Sequence, residues 1–172
     1  MKIFVLIATA ACALFGFTLC AQTSSSQNNS TDQKRTTIKH ASGPFEVKMV
    51  PEKADSKEAE AAGLSRMSGD KQYHGDLEAT GRLEMLATSA TAPRSGAYVA
   101  LERVTGKIKG KSGSFTLCQM GIMNRGTPEL TILIVPDSGT GELAGISGKM
   151  KINIAPDGKH SYELEYTLAG KE

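Results

Sequence analysis

The sequence predicts an all-β protein: one antiparallel eight-stranded barrel, preceded by a signal peptide and a disordered polar tether. Three observations carry the fold. From Phe45 to Leu168, short runs of alternating apolar and polar residues are cut by Gly, Pro, Asn and Asp turns. No stretch repeats its apolar residues convincingly at helical spacing. A glycine phrase also occurs twice, as Gly106-Lys107-Ile108-Lys109-Gly110-Lys111-Ser112-Gly113-Ser114-Phe115-Thr116-Leu117 and as Gly141-Glu142-Leu143-Ala144-Gly145-Ile146-Ser147-Gly148-Lys149-Met150-Lys151-Ile152. Each copy alternates, breaks on glycines and alternates again, as a strand does when it bends sharply or turns into the next.

The chain opens on Lys2 and an apolar run from Ile3 to Leu19, followed by Cys20-Ala21 and a polar Gln-Thr-Ser tract. A charged start, an apolar middle and a small residue before a polar tract describe a secretory signal peptide over residues 1–21, and hence export to the periplasm or the exterior. Lipidation of Cys20 is the alternative, disfavoured by the bulk of Leu19 before it. No membrane-spanning segment is then expected in the mature chain, because the run is short and broken by Gly16 and Thr18. Cleavage after Ala21 leaves Cys118 as the one thiol, too few for an internal disulfide or a zinc site. Its flanks, Leu117 and Met120, predict a packed and inert side chain. Residues 22–42 are rich in Gln, Ser, Asn and Thr and read as a disordered linker.

The barrel is expected over residues 43–170. Phe45, Val47 and Met49 alternate with Glu46 and Lys48 in a first strand that Pro51 ends. Glu52 to Gly63 is a solvated insertion with room for a helical turn or two. Leu64 to Leu77 reads as one longer strand, and Leu83, Met85 and Ala87 mark the next, after a break at Ala79-Thr80-Gly81. Ala97 to Val104 leads through the first glycine phrase into Phe115 to Met123. Leu130 to Val135 is the most apolar strand, closed by Pro136-Asp137-Ser138-Gly139. The second phrase supplies Met150, Ile152 and Ile154. After Pro156-Asp157-Gly158 the last strand alternates His160, Tyr162, Leu164, Tyr166 and Leu168 with polar residues, as one wall of a barrel with a single packed face does. Eight such strands enclose an interior that is either filled or holds one small ligand.

With 20 Lys+Arg against 18 Asp+Glu and no basic run interleaved with aromatics, nucleic-acid binding has no electrostatic footprint. No nucleophile elbow, His-Glu-x-x-His helix or phosphate-cradling loop is present. No cofactor or metal is expected, and no catalytic residue is assigned. The candidate cavity residues are Glu102, Tyr98, Gln119, His160, Tyr162, Tyr166 and His74. Glu102 stands in a segment apolar on both faces, so it either pairs with an arginine such as Arg66 or Arg103 or points into the barrel mouth. His160, Tyr162 and Tyr166 share the packed face of the last strand, where tyrosine hydroxyls fill space or orient a ligand. His74, Asp76 and Glu78 recur at every second residue and, with Lys71, form either a polar site or metal-binding edge or, the preferred reading, an outward, solvated face.

Long blocks of this chain are similar to domain-of-unknown-function family 3224. They are Arg66-Met67-Ser68-Gly69-Asp70-Lys71-Gln72-Tyr73-His74-Gly75-Asp76-Leu77-Glu78, Gly81-Arg82-Leu83-Glu84-Met85-Leu86, Tyr98-Val99-Ala100-Leu101-Glu102-Arg103-Val104-Thr105-Gly106, the first glycine phrase, Val135 to Gly145 and His160 to Tyr166. The resemblance covers about Gly43 to Leu168. It implies an antiparallel barrel like that of allene oxide cyclase, of the calycin-like kind, and implies no activity. Where the family pattern leads one to expect a Gln-His pair, this chain has Cys118-Gln119, and an amide does not titrate. The function expected is an exported barrel binding a small apolar molecule. The alternatives are an isomerase or cyclase in which Glu102 stabilises developing charge, and a non-catalytic envelope interaction protein. The oligomeric state is left open.

Overall fold

The structure is a computed structural model that describes residues 37–54 and 56–168. The expected signal peptide and most of the tether lie outside these residues. The strands are β1 (Lys39–Glu52), β2 (Leu64–Tyr73), β3 (Leu77–Ser89), β4 (Gly96–Ile108), β5 (Lys111–Asn124), β6 (Thr127–Ile134), β7 (Ser147–Ile154) and β8 (His160–Thr167). Each is antiparallel to its neighbours in sequence, and β8 returns to β1 to close the barrel. One short helix, α1 (Lys57–Ala61), occupies the insertion between β1 and β2. The hydroxyl of Ser56 caps it by accepting from the Ala59 amide at 3.1 Å. No described helix is long and apolar enough to cross a membrane.

The barrel closes because β1 serves two partners. Its first half, from Lys39 to Phe45, pairs with β8, and its second half, from Phe45 to Glu52, pairs with β2. Residues 39–42, which the sequence reads as the end of the linker, are therefore strand. Their side chains are mostly polar and exposed, which hides the strand, but inward-facing Ala41 is buried. Pro44 and Pro51 both lie inside β1, at the change of partner and near the open end, so neither terminates it as proline usually would.

Alternation decides which side chains fill the interior. One half of the barrel is solid, packed by Leu77, Ile108, Phe115, Tyr162, Leu164 and Tyr166. The β6–β7 connection stoppers this end: a 3-10 turn at Gly141–Leu143 drives Leu143 and Ile146 inward, each 1% exposed. The other half, toward the α1 insertion, is not filled.

The two glycine phrases fold differently. The first is a tight hairpin: Lys109 and Gly110 take φ of 46° and 84° between β4 and β5, a left-handed pair that suits the twist of antiparallel strands. The second begins as the stopper turn and becomes β7 only at Ser147. The phrases touch, since Glu142 accepts from the Ser112 amide at 2.8 Å, and Thr140, just before the second phrase, donates its amide to the Ser114 carbonyl at 2.8 Å. The ladder between β6 and β7 holds a single register pair, Leu133 with Lys149.

Candidate functional site: a polar cluster under an apolar cavity

The barrel's midsection carries a buried polar cluster. Glu102 projects inward from β4 and is 0% exposed. Its Oε1 accepts from the Tyr73 hydroxyl at 2.7 Å. Its Oε2 accepts from Lys71 Nζ at 2.7 Å and from Gln119 Nε2 at 2.6 Å. Lys71 also donates to the Tyr73 oxygen at 3.4 Å, and its ammonium lies 5.3 Å from the Phe45 ring centre. A carboxylate can only accept, so three donors from β2 and β5 converge on it and leave no charge unpaired. The Coulomb attraction and these hydrogen bonds offset the cost of taking both ions out of water.

The sequence predicts an arginine partner for Glu102, and the partner is Lys71. Arg103, adjacent in β4, points to the outside, where it donates to Ser114 Oγ at 2.6 Å, and Arg66 pairs with Glu84 on the outer wall. Lys71 itself is expected from sequence on an outward face with His74, Asp76 and Glu78. It shares the parity of Tyr73 and Leu77, so it faces in. The strand ends at Tyr73, and His74 to Asp76 form the turn into β3, which breaks the alternation assumed across them. His74 lies outside the barrel, 3.5 Å from Glu46 and 3.7 Å from Glu78. Asp76 accepts from the Ser42 amide.

The break expected at Ala79-Thr80-Gly81 is thus at His74-Gly75-Asp76, between β2 and β3. Gly81 lies mid-strand against Glu102, where a Cβ would collide with Oε1. Gly81→Ala is expected to displace the carboxylate from its three donors and destabilise the fold by about 1–3 kcal/mol in chemical denaturation. A loss below about 0.5 kcal/mol, the scale of a neutral surface change, would mean that Glu102 moves aside freely.

Above the cluster, open at the rim, is a cavity of about 250 Å³. Its wall is apolar, drawn from Val47, Met49, Leu83, Met85, Leu130 and Ile152. Its polar groups are Lys71, Tyr98, Gln119 and His160. Larger depressions of about 360 and 430 Å³, open to a similar degree, lie over the outer wall, near Leu86 and Cys118 and near Lys48 and Arg82. The structure therefore brings Tyr98, Gln119 and His160 together in the cavity and places Glu102 beneath its floor. Tyr162 and Tyr166 belong to the solid half, where the Tyr162 hydroxyl accepts from the Leu77 amide at 2.8 Å and donates to the His74 carbonyl at 3.0 Å. Among the described residues no group of His, Cys, Asp and Glu is arranged to hold a metal ion.

Cys118 is exposed, against the expectation of a packed thiol. Leu117 and Gln119 point inward, so Cys118 must point out. Its outward neighbours are apolar as well: Val99, Leu101, Met120 and Leu133 are each at least half exposed. Both faces of β4 and β5 are apolar here, so composition does not distinguish inside from outside.

All four tyrosines titrate above their ordinary range. Burial pushes Tyr73 up most strongly, and the charge and hydrogen bond of Glu102 add to it. Burial and then the Glu102 charge raise Tyr98. Burial raises Tyr162 to about 12 despite the stabilising Leu77 amide, and burial with the Asp76 charge raises Tyr166. In the unfolded chain these phenols ionise near about 10, so above that pH the unfolded state binds fewer protons and gains on the folded one. Stability is accordingly expected to be flat in this respect below about pH 10 and to fall steeply between about 10 and 12. In a spectrophotometric titration, tyrosinate absorbance should rise together with the loss of β-sheet circular dichroism. A tyrosine ionising near about pH 10 in the intact fold would contradict this.

Comparison with known proteins agrees with the fold. The family model described as "Protein of unknown function (DUF3224)" matches residues 41–166. The chain belongs to the DUF3224 family. A crystal structure of a DUF3224 protein of unknown function from Shewanella oneidensis MR-1 is 39% identical. The alignment covers 78% of this chain and 100% of that one, with a TM-score of 0.71. No curated protein matches. Within the DUF3224 match lie all the cluster residues, Lys71, Tyr73, Glu102 and Gln119, and the cavity residues Tyr98 and His160.

Proposed function

We propose that this DUF3224 protein is an exported binding barrel that holds a small, mostly apolar molecule in the open half of its interior. The observation that carries the reading is the cavity itself. A barrel could have been packed throughout, yet here the filling stops at the level of Lys71 and Glu102. The space above is lined by aliphatic and methionine side chains with a few polar groups, contributed by β2, β4, β5 and β8, the usual composition of a small-molecule site. Export rests on Lys2 and the apolar run to Leu19. A mature protein whose intact mass does not begin at Gln22, or at a lipidated Cys20, would remove that part of the reading.

Methionine methyl NMR tests the binding. The chain has seven methionines, and Met49 and Met85 line the cavity, whereas Met150 is buried in the solid half. Adding a neutral aromatic probe such as N-phenyl-naphthylamine to the full chain should shift Met49 and Met85 in a saturable way and leave Met150 in place. Shifts confined to outward-facing Met120, or none at all, would overturn the reading. For acid–base chemistry at Glu102 the geometry is unfavourable, because its carboxylate is sealed beneath the floor and engaged by three donors.

A further inference from the structure

The polar floor of the cavity specifies the kind of head group it would hold. Lys71 and Glu102 already neutralise each other at 2.7 Å, so the floor offers hydrogen bonds without net charge. An ammonium has three donors. Lys71 directs one to Glu102 and one to Tyr73, and among the described residues its third meets no oxygen acceptor. Gln119 must turn its NH2 toward Glu102, because a carboxylate accepts only. Its Oε1 consequently points elsewhere and has no partner among the described residues. No sealed side-chain nitrogen or oxygen is left unsatisfied, so this oxygen is reached from the cavity that Gln119 lines. One donor and one acceptor, on β2 and β5, thus face the same apolar space.

We propose that the cavity selects an apolar molecule ending in one uncharged group that both accepts and donates a hydrogen bond, such as a carboxamide or an alcohol, seated on Lys71 Nζ and Gln119 Oε1. The inference rests on the binding reading above and adds the head-group chemistry. A carboxylate head would meet Lys71 but would also bring a second anion close to Glu102 and face the Gln119 oxygen. An ammonium head would meet Lys71 as a like charge. Either would leave water without a counter-charge of its own. A head that cannot hydrogen-bond would leave both floor groups dry and unpartnered.

The test is a panel of one chain length on the full protein, read by the Met49 and Met85 methyl signals: octanamide, octanol, octanoate, octylammonium, octyl fluoride and N,N-dimethyloctanamide. Octanamide and octanol should bind at least about tenfold more tightly than octanoate, octylammonium and octyl fluoride, a tenfold step corresponding to about 1.4 kcal/mol. The dimethyl amide, which accepts but cannot donate, should fall by a similar factor, and this arm needs no substitution. Gln119→Met should bring octanamide down to the level of the dimethyl amide, because only the Lys71 donor is then left to the head group. If octanoate binds most tightly, or if all heads bind alike, the head-group inference is overturned while the binding barrel stands. If no compound moves Met49 or Met85, both fail.

Discussion

Replacing Lys71 with methionine is expected to cost about 3–5 kcal/mol of folding stability, because Glu102 would be left as an unpaired charge with no access to water. Glu102→Gln, which strands the Lys71 ammonium instead, is expected to lose a similar amount. The double variant Lys71→Met/Glu102→Gln should recover most of either loss. An amide at 102 can still accept from the Tyr73 hydroxyl, and the Gln119 amide can rotate to complement it, so no charge and few polar groups are stranded. Denaturant midpoints of the two single variants, the double and the parent form the cycle that measures this. A double variant whose loss equals the sum of the singles would show that the two side chains do not act as a pair.

Leu143→Ala should be nearly as damaging, at about 2–5 kcal/mol. Leu143 is 1% exposed and closes the solid end of the barrel from the 3-10 turn, with Ile146 beside it. Its segment crosses β5 closely enough that a Cβ on Gly113 would lie 3.1 Å from the Leu143 side chain. Removing the isopropyl group leaves a void that neighbouring strands cannot fill, because their backbones are fixed by the ladder. The control is Leu101→Ala on the outer wall, where the side chain is 57% exposed and the change should stay within about 0.5 kcal/mol. Equal losses at the two positions would mean that the 3-10 turn lies on the barrel without sealing it.

Much of this fold is legible because a barrel wall writes its parity into the sequence. β8 alternates without interruption, and its inward residues Tyr162, Leu164 and Tyr166 can be read directly. β4 and β5 are legible as strands but not as to side, since Val99, Leu101 and Met120 are apolar on the outside. That ambiguity misplaces Cys118. Glycine misleads twice. Gly75 and Gly81 look alike as break signals, yet one makes a turn and the other makes room for a carboxylate. The two glycine phrases share a pattern, yet only the first is a hairpin. A glycine permits a change of direction, and the packing around it decides whether the chain takes one.

In the site, Glu102 can be found as a charge among apolar neighbours. Its lysine is hidden only by being grouped with His74, Asp76 and Glu78, whose parity along the chain is the opposite of its own. The signal is available in parity: Lys71, Tyr73 and, across the pair, Phe45 belong to one face. A buried acid predicts a buried base, and the base should be sought first on strands that can share its layer.

The two roles of β1 have a consequence for the order of assembly. The final ladder joins the first strand to the last, Lys39 opposite Tyr166, and contacts so distant along a chain form late. The four members of the buried cluster come from β2, β4 and β5, inside a run of consecutive hairpins. The meander can therefore bring Lys71 to Glu102 while the sheet is still open and wet, when ions meet without first being dehydrated. If that ladder is the last to form, closure by β1 and β8 removes the water from a pair that has already met, and the desolvation that makes such a pair costly falls on the last step of folding.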